Sequence, residues 1–123
     1  MLRDDLIGIW RAHRSGLSLD SLNEALDDMR FWLRSDGTAE VLCRHAITDK
    51  WASTECTWDV IDEVDLIVTV PIAPMPDLGI YDWTSDDMCF RIMSAAEDEL
   101  ILDSHPFGGE VFTVYRRSEF AIS

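Results

Sequence analysis

The sequence predicts an all-β domain of about eight antiparallel strands rolled into an up-and-down barrel, with one short helix after the first strand. Three features predict it. Short runs alternate apolar and polar residues with period two, turn residues interrupt them at spacings of roughly 8–12, and helical periodicity is confined to one segment. Sequential strands with one dry face each leave two exposed edges unless the sheet curls and pairs its first strand with its last, so closure is the economical arrangement.

The first strand is expected over Ile7–Arg14. The helix follows: Leu19, Leu22, Ala25, Leu26 and Met29 recur three and four residues apart, and Ser21 with Glu24 fits a capping box. A hairpin over Arg30–Arg34 and Ala39–Arg44 turns at Ser35-Asp36-Gly37-Thr38, where Asp-Gly supplies the positive φ of a tight turn. In the next hairpin Cys56, Trp58 and Val60 share a face, as do Val64, Leu66, Val68 and Val70, across a turn at Asp62-Glu63. Pro71, Pro74 and Pro76 cannot donate to a ladder, so this stretch is expected as a surface loop, with a weak strand after it near Ile80–Thr84. Met88–Met93 and Leu100–Asp103 form the third hairpin, and a loop over 105–109 leads to the last strand, Glu110–Arg117.

On the first strand, Gly8-Ile9-Trp10 resembles the Gly-x-Trp opening of lipocalins and related small calycin-type barrels, including the fatty-acid-binding proteins. The resemblance implies that Trp10 closes the barrel floor against an arginine near the last strand, Arg116 or Arg117, with Arg116 taken as the partner. It also implies a helical lid and an interior that takes a small apolar ligand.

With 123 residues the chain falls in the usual range of one domain, roughly 100–150 residues, so residues 1–123 are expected as one unit. Asp4-Asp5 interrupts any signal-peptide core, and Leu66–Ile72 is far shorter than the roughly 20 residues of a membrane span. The expected setting is the cytoplasm, of the bacterial type, without membrane contact. The three cysteines, Cys43, Cys56 and Cys89, show no CxxC spacing and are expected as free, buried thiols. The net charge of −14 is uneven: residues 1–50 hold seven basic and nine acidic side chains, residues 51–123 three and fifteen. Such a field repels phosphate backbones, excludes nucleic acid as a partner and attracts basic proteins.

No catalytic pattern emerges. His13, His45 and His105 lack metal-ligand spacing, and adjacent acids such as Asp27-Asp28 or Asp86-Asp87 point to opposite faces of a strand instead of converging. No GxSxG or phosphate-cradle motif occurs; Gly108-Gly109 fits a turn. The chain is therefore expected to be no enzyme and to need no cofactor or metal. Two binding functions remain open. One is neutralisation of a basic protein, such as a toxin or nuclease, in the manner of an immunity protein, through Asp82, Trp83, Asp86 and Asp87, with Asp59, Asp62, Glu63 and Asp65 as a second patch. The other is an apolar ligand held among Trp58, Val60, Leu66, Val68, Phe90, Ile92 and Leu102.

Overall fold

The computed structural model describes residues 2–24, 29–45, 47–103 and 111–119. A short helix α1 (Leu2–Asp5) leads into β1 (Gly8–Gly16). After it come β2 (Asn23–Glu24), β3 (Met29–Leu33), β4 (Thr38–Arg44), β5 (Trp51–Ile61), β6 (Asp65–Ile72), a 3-10 turn (Pro76–Leu78), β7 (Thr84–Ala95), β8 (Glu99–Asp103) and β9 (Phe112–Ser118). Successive long strands pair antiparallel, and β1 pairs with β9 from Ile9↔Ser118 to Gly16↔Phe112, so β1 and β3–β9 close an eight-stranded barrel.

The alternating residues sort as expected. Trp10, Phe31, Leu33, Val41, Cys56, Trp58, Leu66, Val68, Phe90, Leu100, Leu102 and Tyr115 point inward and form one packed core. At mid-height Phe31 meets Phe90 edge-on at 5.7 Å and Tyr115 at 5.5 Å between ring centroids. Because β3 and β7 lie on opposite walls, that contact crosses the whole interior, as an eight-stranded barrel allows.

One end carries the short turns and the other the long connections. At the short-turn end Gly37 has φ 88°, as the Asp-Gly turn requires, and Asp36 accepts from the Thr38 backbone N–H (2.9 Å) and hydroxyl (2.7 Å). These two bonds hold the Asp36 carboxyl below its ordinary range. The β5–β6 turn instead places Asp62 (φ 53°) and Glu63 (φ 57°) in the left-handed region, with the Val64 N–H closing onto the Ile61 carbonyl.

Several expectations need correction. Among the described residues the α-helix precedes β1 instead of following it. In the segment read as helical, Leu19 is exposed and Asn23–Glu24 pair with Ser15 and Arg14; residues 25–28 lie outside the described residues. The reason is backbone pairing: β3 covers β1 only from Gly8 to Arg11, which leaves upper β1 unsatisfied unless another segment joins it. The strand expected at Ile80–Thr84 reduces to one bridge, Met75↔Ile80, because β7 begins only at Thr84. Val64 belongs to the turn, and β5 starts earlier, at Trp51. The loop over 105–109, with His105, and Asp27-Asp28 lie outside the described residues.

Candidate functional site

The short-turn end is sealed by two tryptophan–arginine stacks. Trp10 donates its indole N–H to the Leu6 carbonyl (2.8 Å) and carries the Arg117 guanidinium 4.2 Å above its ring. Arg117 then donates to the carbonyls of Ile7 (2.5 Å), Glu97 (2.7 Å) and Asp5 (2.9 Å), binding α1 and the β7–β8 turn to β9. Gly8 makes room: a Cβ there would collide with Arg117 Nη1, at a φ of 138° that side chains resist. Arg116, expected as the partner of Trp10, points outward instead and pairs with Glu99 at 3.8 Å; residue parity on β9 decides between the two arginines. Trp58 is capped likewise by Arg3 at 4.5 Å, a partner with no signal in the sequence because α1 lies 55 residues away.

The residues proposed to line a ligand cavity do face inward, but they touch one another. Trp58, Leu66, Val68, Phe90 and Leu102 are buried in the core cluster, with Val60 and Ile92 packed against it. Burial raises the Cys56 thiol above its ordinary range, and burial also raises Cys89, which suits inert thiols. Cys43, expected as buried, is exposed instead, because it lies near the end of β4, past the core residues Ala39 and Val41. His45 is a turn cap, its Nδ1 accepting the backbone N–H of Ile47 and Thr48 (3.2 Å each). Among the described residues no group of three His, Cys, Asp or Glu is placed to hold a metal ion, and no helix is long and apolar enough to cross a membrane.

The two acidic patches lie at opposite ends. Asp59, Asp62, Glu63 and Asp65 surround the β5–β6 turn at the short-turn end, where Asp59 pairs with Arg3 (3.3 Å) and Asp65 with Arg91 (3.6 Å). Asp82, Trp83, Asp86 and Asp87 lie at the long-loop end, in the β6–β7 connection and the start of β7. Asp77, Asp82 and Asp86 make no ion pair among the described residues; Asp87 is oriented by the Thr69 hydroxyl at 2.8 Å.

What sets this second group apart is the wall that carries it. β5 and β6 pair only up to Thr57↔Thr69; beyond that point β5 stays with β4, and β6 stays with β7 from Val70↔Asp86 to Ile72↔Thr84. The fork opens a groove of about 330 Å³ lined by Thr57, Thr69, Pro71 and Ser85 among others. Residues 70–86 thus form a two-stranded ribbon that pairs with neither β5 nor, among the described residues, β8. Its tip exposes Tyr81 (75%), Leu78 (73%), Trp83 (71%) and Met75 (47%). Trp83 is also the one tryptophan with no arginine stacked on it among the described residues: Trp32 lies under Arg34 and Trp51 under Arg30 and Arg44. Sequence reasoning singled out Trp83 but missed Met75, Leu78 and Tyr81. Their signal was present, as apolar residues inside a proline-marked loop with no strand to bury them.

Fold and site together define a small closed antiparallel β-barrel with an acidic, aromatic-tipped ribbon. No protein-family model matches the chain, and no curated protein matches it.

Proposed function

We propose that this chain is a non-enzymatic, calycin-like binding barrel that engages and neutralises a basic protein through the β6–β7 ribbon, as an immunity protein does. The observation that carries this reading is the combination, on one ribbon, of exposed Tyr81 and Trp83 with the carboxylates of Asp77, Asp82 and Asp86, which make no ion pair among the described residues. Large exposed apolar clusters rimmed by charge favour association, with aromatics supplying affinity and charges supplying encounter rate. Residues 51–90, which contain the ribbon, hold nine acids and no lysine or arginine, so the complementary surface is cationic. The patch around Asp59 and Asp65 fits the role less well, because arginines of the same chain already neutralise part of it.

The test is capture of partners from the native lysate in low salt, followed by reconstitution with the purified partner. Binding should weaken as salt rises from about 0.01 M to about 1 M, where the screening length falls from roughly 30 to 3 Å. It should also drop about tenfold or more for Trp83→Ala, a loss typical of an interface anchor. A partner of acidic surface, or affinity indifferent to salt, would refute the reading. An apolar ligand, the second function open from the sequence, would have to sit above the layer of Phe31, Phe90 and Tyr115; displacement of a fluorescent fatty acid tests it.

A further inference from the structure

The ribbon has two long sides, and they are not alike. On the β7 side, β8 reaches only as far as Asp103, opposite Arg91, so no described strand lies against β7 from Thr84 to Phe90. The direction of its backbone groups follows from one bond: the Ile92 N–H donates to the Val64 carbonyl, toward β6. Antiparallel ladders alternate, so Phe90, Met88, Asp86 and Thr84 also turn toward β6. Ser85, Asp87 and Cys89 then direct their N–H and C=O groups to the side on which no described strand lies. On the β6 side the corresponding residue is Pro71, which has no N–H to offer. Proteins blunt sheet edges with proline to prevent unwanted pairing. Among the described residues one edge is blunted and the other is left able to pair.

We infer that the Ser85–Cys89 edge is a strand-addition site that takes an extended, lysine- or arginine-bearing segment of the partner protein. The inference rests on the binding reading above and names the form in which the partner is held. An added strand would satisfy the three outward backbone positions, and Asp86 and Asp87 on its two faces would each sit beside a basic side chain. Opposite charges directly across a ladder stabilise it, whereas like charges destabilise it. That rule disfavours a second copy of this chain, which would set these carboxylates against their own equivalents. Tyr81 and Trp83, at the entrance to the edge, would cover the guest's apolar residues.

The probe is an acetylated, amidated peptide of alternating lysine and valine, about seven residues long to match the edge. Its control is the same peptide N-methylated on the amides that must face β7, which keeps the charge and removes the donors. NMR should show amide exchange at Ser85, Asp87 and Cys89 slowed roughly tenfold by the parent peptide, and the N-methylated form should bind roughly tenfold more weakly. Ser85→Pro, which places on this edge the device found on the other, should leave the melting temperature near wild type and cut peptide binding about fivefold or more. Equal binding of the two peptides would overturn the inference while leaving charge-driven association intact. Protection confined to other residues, slow exchange of the three amides in the free protein, or no binding of the parent peptide in low salt would also overturn it. Failure of the broader reading would register separately, as the absence of a salt-sensitive basic partner in the capture experiment.

Discussion

Arg117 joins three parts of the chain through one planar group. Its face lies on Trp10 and its N–H donors reach carbonyls of Asp5, Ile7 and Glu97, which a lysine could not reproduce because its ammonium is a point charge. Arg117→Ala should therefore cost on the order of 2–3 kcal/mol, from the lost stacking and charged hydrogen bonds, and Arg117→Lys most of that. Arg116→Ala should cost no more than about 1 kcal/mol, since its pair with Glu99 is exposed to water. Urea denaturation of the three variants checks the ranking. Cys56 gives a second test at this scale. Burial raises its thiol pKa in the folded state, so the unfolded chain loses that proton first as pH rises. Stability is fully present below the ordinary thiol pKa and falls as pH climbs from there toward the folded value. A series of melts from about pH 7.5 to pH 10 should show this decline in wild type and a shallower one in Cys56→Ala.

At the scale of elements, the β5–β6 turn asks two residues to adopt positive φ, and Glu63 is poorly suited to it. Glu63→Gly should raise stability by about 0.5–1 kcal/mol, measured by thermal melting, because the strain disappears while the turn geometry is kept. The strands themselves were legible from alternation, since a period of two fixes which side chains face the core regardless of context. The segment from Leu19 to Met29 was not. Its apolar spacing matches a helix, but the sequence does not reveal that β3 stops at Arg11's level and leaves β1 needing Asn23 and Glu24. The candidate site was half legible: the acids and Trp83 stood out by composition, whereas the fork at Thr57 and Thr69 arises from strand lengths and pairing that only three dimensions reveal. A two-stranded ribbon without further neighbours is held weakly. Hydrogen exchange should be faster over residues 70–86 than at Leu66, Val68 and Leu102, and uniform protection across β6 and β7 would contradict the fork.

Over the whole molecule, the charge is distributed by structure as well as by sequence. Arg3, Arg34 and Arg91 lie on the acids of the strands, Arg34 bridging Glu40 (2.8 Å) and Glu55 (3.3 Å), so the barrel wall is partly neutralised, whereas among the described residues no cation pairs with an acid of the ribbon. With a net charge of −14, self-repulsion should be relieved by added salt, and the melting temperature should rise between about 0.01 M and 0.2 M NaCl even as partner binding weakens. The seam between β1 and β9 has a different kind of consequence. Every other wall contact of the barrel joins strands near one another along the chain, β1 and β3 across the short β2 included, but this one brings Ile9 to Ser118. A search over a loop of that length has to be completed before the cylinder exists, and until then two hydrogen-bonding margins stand open in an unrolled meander. Closing the cylinder thus requires the zipping of a single long-range suture, and the guanidinium clasp beside it acts as the fastening.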